Sequence, residues 1–324
     1  MRLPDPLHRL AARQSGLLTA EQCRAAGVTR EEVRHALRSA RWETSRRGVY
    51  QTRPGRNDWL AGATAAVLAC GEPAALGFFS AARLIGLDDG WARRRPEPFH
   101  VCIPESRRIA TPDGVRLHRV TDYASRVQLG AWPARSTVPD TVLDLASVSD
   151  LDGAVGWVAR ALQKELTTSE LVLECLDRRG KHRHAADLRE LLDESGIESP
   201  AELRFARDVA AAHGLPPGRR QVADGRRGWR VVDVRYDEQL LLVEIDGRVG
   251  HGGWTAQRRD AGRDIRAAGG GWTTLRPGWT DVRIRPCEFG ADLYASLAVR
   301  GWRGRPHGCR RPTCAVRTAL RSGS

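Results

Sequence analysis

The 324-residue chain carries 52 lysines and arginines against 39 aspartates and glutamates, a formal charge of +13. That length can bury more than one core, and no apolar run approaches the roughly 20 residues of a membrane-spanning helix. All the basic residues except Lys164 and Lys181 are arginine, whose planar donors match phosphate oxygens, so the balance points to nucleic acid as the partner. No segment identifies a small-molecule substrate. The seven cysteines are odd in number and scattered, which fits reduced thiols in a cytoplasm. The N-terminal "MRLPDPLHRLAARQSG" lacks a signal-peptide core, so secretion is not expected.

Residues 1–55 divide into short helices and a hairpin. A first helix covers Pro6 to Arg13. Thr19 is an N-cap with Gln22 three residues on, and Thr29 is a second with Glu32, each completing a capping box. The helix after Thr29 has Val33, Ala36 and Leu37 as its apolar stripe and presents Arg30, Arg34, Arg38 and Arg41 on its other side. Two short helices joined through "AGVT" make a helix-turn-helix pattern. "WETSRRGVYQT" then supplies two strands around Arg46-Arg47-Gly48, the outline of a basic wing. Such a helix fits the major groove while the wing touches the backbone. The plainer alternative is a helical docking module with a solvated arginine face. The segment resembles the winged-helix domain of the AbiEi-type antitoxin and transcriptional-regulator family. Gly16, Leu17, Leu18, Thr19, Ala26, Gly27, Trp42, Arg47, Gly48, Val49 and Tyr50 carry that resemblance.

Residues 56–196 read as an α/β scaffold. "DWLAGATAAVLACGEPAALGFFSAARLIGL" gives two helices separated near Gly71-Glu72-Pro73. "PFHVCIPE" and "GVRLHRV" give short strands, and the stretch from Val138 is helical, with Thr168 or Ser169 capping the segment at Glu170. His100, His118, His182 and His184 have no metal-ligand spacing and are expected at the surface or satisfied in the core.

Residues 197–300 are expected to be a third domain. A helix capped by Ser199 contains Glu202; a strand lies around Gln221. "VVDVRYDEQLLLVEIDG" then reads as a hairpin turning at Asp237-Glu238, which sets opposed residues to numbers summing to 475. Val232, Val234, Leu241, Val243 and Ile245 share an apolar face. Asp233 lies on the other, diagonal to Glu244. A helix from Thr255 follows, then the strand "GWTTLRPGW" and a closing helix. Helix, strands with clustered acids, helix and strand form the layout of a PD-(D/E)xK restriction-endonuclease-like α/β/α core. The expected fold is thus α+β and multidomain.

Carboxylates among valines are costly unless paired, solvated or holding a metal. Phosphodiester hydrolysis needs a divalent cation on hard oxygen ligands. Asp233 and Glu244 are the expected ligands of Mg²⁺ or Mn²⁺, with the Ile245 backbone carbonyl a third and Glu202 approaching directly or through water. The domain resembles the endonuclease-like family related to very-short-patch repair enzymes. Asp233, Glu244, Asp246, Gly247 and His251 match its outline, as do Glu202, Gln221, Arg259, Asp260, Arg263, Asp264, Gly271, Trp272 and Arg276. The resemblance spans residues 198–296. It implies catalytic roles for Glu202, Asp233, Glu244, Asp246 and His251, and DNA contacts from Arg259 and Arg263. The superfamily's usual lysine two residues after the acid is Asp246 here, and an aspartate cannot stabilise developing negative charge.

The last 24 residues, 301–324, hold no acid and are expected to be a flexible basic tail. His307, Cys309 and Cys314 suggest half a zinc site, with no fourth ligand nearby. The leading functional expectation is a metal-dependent DNA endonuclease or nickase positioned by the winged helix, in repair or defence. The alternative is a non-cutting DNA-binding regulator or antitoxin on a nuclease fold. An RNA-directed nuclease is disfavoured because duplex RNA does not admit a recognition helix into its deep groove. Double-strand cutting needs two active sites, which leaves a homodimer open, although no segment identifies an interface.

Overall fold

Thr19 and Thr29 start the helices expected of them. The Thr19 hydroxyl accepts the Gln22 N–H at 3.0 Å and Gln22 Oε1 accepts the Thr19 N–H at 2.9 Å. The Thr29–Glu32 pair repeats this at 3.2 and 2.8 Å. These boxes open α2 (Ala20–Ala25) and α3 (Arg30–Arg38), after α1 (Asp5–Arg13). Strands β1 (Leu17–Thr19), β2 (Glu43–Arg46) and β3 (Val49–Gln51) form an antiparallel sheet in the order β1-β3-β2. Gly48, at φ +76°, turns the chain between β2 and β3. Leu7, Ala11, Leu18, Cys23, Val28, Val33, Ala36 and Trp42 enclose a core. The computed structural model describes residues 3–55, 58–88, 98–128, 130–192, 200–223, 231–245, 265 and 267–322.

The chain forms two compact units. One comprises Met1–Val148 with Lys164–Arg179, the other Ser149–Gln163 with Gly180–Ser324. In the first, α4 (Trp59–Cys70) is apolar nearly all round because it has neighbours on two sides. Ala65 packs on Leu17 and Val49 of the winged-helix sheet. Ala63, Ala66, Val67 and Cys70 pack with Leu76, Val101 and Ile103 of a second sheet. That sheet has the order β6-β5-β4-β8-β7, from β4 (Ala75–Leu76), β5 (Phe99–Pro104), β6 (Val115–Val120), β7 (Val127–Gln128) and β8 (Arg135–Ser136). The winged helix is therefore built into the body of its unit.

Helices α5 (Phe78–Leu84), α6 (Tyr123–Arg126) and α7 (Val138–Val148) flank this sheet; α8 (Leu151–Gln163) belongs to the other unit; α9 (Ser169–Arg179) returns to pack on α7. The Thr168 hydroxyl accepts the Leu171 N–H at 3.4 Å at the start of α9. Buried under α7 lies an ion network. Asp140, 0% exposed, takes Arg178 at 2.6 Å and Arg179 at 2.7 Å. Asp144 takes Arg126 at 2.5 Å and Arg179 at 2.9 Å. His100 and His118 pair through their ring nitrogens at 2.9 Å, with His118 stacked on Phe78.

The second unit holds α10 (Ala185–Leu192) and α11 (Pro200–Arg204), which runs on through a π-helical turn, Phe205–Ala210, and a 3-10 turn, Ala211–His213. Its sheet has the order β12-β11-β10-β9, from β9 (Arg219–Ala223), β10 (Val231–Tyr236), β11 (Leu241–Val243) and β12 (Thr273–Leu275). The β11–β12 pair is parallel and the others antiparallel. Helices α12 (Trp279–Arg283), α13 (Pro286–Val299) and α14 (Ala315–Ser322) follow. The segment expected to be a flexible tail thus carries a helix, and Val316 within it is fully buried.

Candidate functional site

Helix α3 separates its two faces cleanly. Val33 and Ala36 face the core, while Arg30, Arg34 and Arg38, spaced one turn apart, are exposed. Glu31 accepts from Arg34 at 2.5 Å and Arg38 at 2.9 Å. The hydrogen bond from Arg38, aided by the charge of Arg34, holds the Glu31 carboxyl below its usual range. Exposed pairs of this kind contribute little, so both guanidinium groups can exchange Glu31 for phosphate at small cost. Arg41 follows the helix, exposed, its Nε donating to Ser39 Oγ at 3.0 Å.

The two arginines of the wing differ in their surroundings. Arg47 is exposed at its tip. Arg46 instead donates to the Asp113 carbonyl and lies over the Phe99 ring, 5.5 Å from its centroid. Burial lowers its pKa. Arg46 therefore ties the wing to the adjacent sheet.

The carboxylate hairpin forms, with a register two residues from the expected one. Val234 pairs with Val243 and Tyr236 with Leu241, so opposed numbers sum to 477. The connection is the four residues Asp237–Leu240, with Leu240 at φ +47°. A shift of two preserves the face of every side chain, and Val232, Val234, Leu241, Val243 and Ile245 are all buried. Continuing the register by one residue sets Glu244 directly opposite Asp233. Asp233 Oδ2 accepts the Ile245 N–H at 2.6 Å. Glu244 meets Arg276 at 2.6 Å. Glu202, buried on α11, accepts from the Gln221 amide at 2.5 Å. Trp272 stacks under Arg235, 4.4 Å from ring centroid to guanidinium carbon. Asp246, His251, Arg259, Asp260, Arg263 and Asp264 lie outside the described residues, as does most of the helix expected from Thr255; the described residues at its end, 265 and 267–269, are helical.

A metal-ligand cluster occurs elsewhere. His213, Cys287, Cys309 and Cys314 bring one ligand atom each to within 4.8 Å of one another. Cys287 opens α13, Cys309 and Cys314 bracket the loop before α14, and His213 ends the irregular helix. Burial, with the two neighbouring thiols, pushes Cys287 up to about 12. Among the described residues this is the cluster suited to a metal, and three sulfurs with an imidazole are the donor set of zinc. The expectation of Mg²⁺ or Mn²⁺ on Asp233, Glu244 and the Ile245 carbonyl is corrected accordingly: hard ions prefer all-oxygen sites, and the cluster found is Cys3His. Half of it was visible in the sequence as Cys309 and Cys314. Its other half, His213 and Cys287, is remote along the chain; His307 is not among the four clustered residues, and its backbone N–H donates to the His213 carbonyl at 3.0 Å.

Among the described residues no helix is long and apolar enough to cross a membrane. No curated protein matches the chain. Residues 5–53 match a family described as transcriptional regulator, AbiEi antitoxin, and this segment is a winged-helix domain of that type within a multidomain α+β protein.

Proposed function

We propose that the protein is a DNA-binding transcriptional regulator of antitoxin type, in which α3 reads the major groove and Arg47 meets the backbone from the wing. The observation that carries this reading is the exposed row Arg30, Arg34 and Arg38, on a helix fixed from behind by Val33 and Ala36, inside the segment matching that regulator family. The strongly basic composition supports it.

The C-terminal domain keeps a nuclease-like placement of acids, with Asp233 opposite Glu244, and in this reading it supports binding without cutting. Arg276 sits on Glu244 Oε2 and the Ile245 N–H on Asp233 Oδ2, so one oxygen of each carboxylate already has a partner within the protein.

The test is fluorescence anisotropy with the duplex upstream of the protein's own reading frame and a scrambled duplex. Tighter, salt-dependent binding to the first, weakened when Arg30, Arg34 and Arg38 become alanine, is the expected result. Unchanged binding by that variant would remove α3 as the reader. Supercoiled plasmid should stay intact with or without divalent cations. Nicking abolished by both Asp233→Ala and Glu244→Ala would replace the regulator with an enzyme.

A further inference from the structure

We infer that His213, Cys287, Cys309 and Cys314 bind one zinc ion, which clamps the C-terminal segment onto α13. The ligand atoms all lie within 4.8 Å of one another, and Cys287 Sγ is 3.5 Å from Cys309 Sγ. A tetrahedron with zinc–sulfur bonds of about 2.3 Å has edges of about 3.8 Å, so the four donors close on one ion with small movements.

His213 is prepared as a ligand. The residue is 0% exposed, and its Nδ1–H donates to the Val209 carbonyl at 2.8 Å. That bond puts the proton on Nδ1 and leaves Nε2 as a lone pair, the arrangement that orients metal-binding imidazoles. Among the described residues Nε2 has no hydrogen-bond partner. A buried imidazole nitrogen without a donor is costly, and a cation among three thiolates removes that cost. Gly290 leaves the ring its space, since a Cβ there would lie 3.1 Å from Nδ1.

The loop is built as a knuckle. Four residues separate Cys309 from Cys314, within the usual spacing of zinc-binding pairs. Arg317 reaches back from α14 to the carbonyls of Cys309, Arg311 and Pro312. What holds α14 otherwise is slight. The apolar cluster beneath it contains Val316 and the ligands Cys287 and Cys314, edged by Ala291, Ala315 and Leu320. A helix of eight residues is unstable alone in water, and so small a core adds little. The metal supplies the missing cross-link between α13, α14 and the end of the irregular helix.

The test uses the full chain purified without chelators. Elemental analysis should find about one zinc per chain. Cobalt exchanged into the protein should give visible bands of tetrahedral intensity and a thiolate charge-transfer band. Cys309→Ser should lower bound zinc at least about tenfold, while Cys175→Ser, in the other unit, should leave it unchanged. Strong chelation of the wild type should speed tryptic cleavage at Arg310 and Arg317 at least about tenfold as the segment is released. Zinc below about 0.1 per chain, a quantitative Cys287–Cys309 disulfide, or tryptic cleavage indifferent to chelation would each overturn the proposal. The wild-type metal content and cobalt spectrum decide the matter even where Cys309→Ser fails to fold.

Discussion

Arg276 Nη2 stands 2.6 Å from Glu244 Oε2, just past the paired ends of β11 and β12, and Asp233 Oδ2 accepts the N–H of the next residue, Ile245, at 2.6 Å. The sequence outline includes Arg276 without assigning it a task; the structure makes it the cation beside the expected metal ligand. The Glu244 side chain is 14% exposed, so removing its partner leaves a poorly solvated charge. Arg276→Ala should lower unfolding free energy by about 1–3 kcal/mol. Glu244→Gln in the same chain should recover part of that loss. A double-mutant cycle by urea denaturation measures the coupling; a coupling near zero would mean the pair contributes nothing.

The arginines of α3 and the wing should separate by their salt dependence. Arg30→Ala, Arg34→Ala and Arg38→Ala should each weaken DNA binding and reduce the slope of log K against log salt by about 0.9 if each meets a phosphate. Arg46→Ala should leave that slope unchanged and lower thermal stability, because it ties the wing to Asp113 and Phe99. Anisotropy titrations at several salt concentrations, with melting curves of the same proteins, give both numbers. An Arg46→Ala slope that falls with the others would return this residue to the interface.

Local signals in the sequence were legible where the chain itself supplies both partners. Thr19 with Gln22 and Thr29 with Glu32 are three residues apart, so a capping box can be read directly. The hairpin faces are unaffected by a register shift of two because parity, not register, decides which side chains are buried. The register is not legible in the sequence because Asp237–Leu240 forms a four-residue connection with a left-handed leucine, which no glycine or asparagine announces. The Cys3His cluster joins residues from 213 to 314, and only Cys309 and Cys314 stand at a recognisable spacing. The Asp140 network is hidden for the same reason, since its arginines come from α6 and α9.

The His100–His118 pair should make the first unit acid-sensitive. Burial, then the charge of Arg116, lowers His100 to about 4; burial, His100 and Arg116 do the same for His118. The unfolded chain takes up a proton on each near pH 6.5, whereas the folded one does so only near 4. In that window the unfolded state binds more protons, so stability rises with pH and is lost as pH falls from about 6.5 to about 4. With allowance for partial solvent screening, the pair should account for on the order of 2 kcal/mol. His118→Gln should flatten urea midpoints measured between about pH 7.5 and 4.5. An unaltered profile would show that the pair does not titrate as a buried unit.

The two buried aspartates of α7 should differ although they share Arg126 and Arg179. At Asp140 burial works against the charge, but Arg179, Thr137 and Arg178 outweigh it and the carboxyl lies below its usual range. At Asp144 burial prevails over Arg179 and Arg126, and the carboxyl is raised. The folded state therefore favours the charge on Asp140 and resists it on Asp144. Asp140→Asn removes a charge the three arginines depend on and should cost about 3–5 kcal/mol. Asp144→Asn removes a charge already penalised by burial and should cost clearly less. Because the Asp140 pKa is depressed, its contribution is full above the unfolded value near 3.9 and is lost as pH falls through the folded one. The Asp140→Asn deficit should accordingly shrink in acid. Denaturation of both variants at neutral pH and near pH 3.5 checks this; equal losses at neutral pH would mean that the network shares its charge evenly and that Arg178 confers no advantage on Asp140.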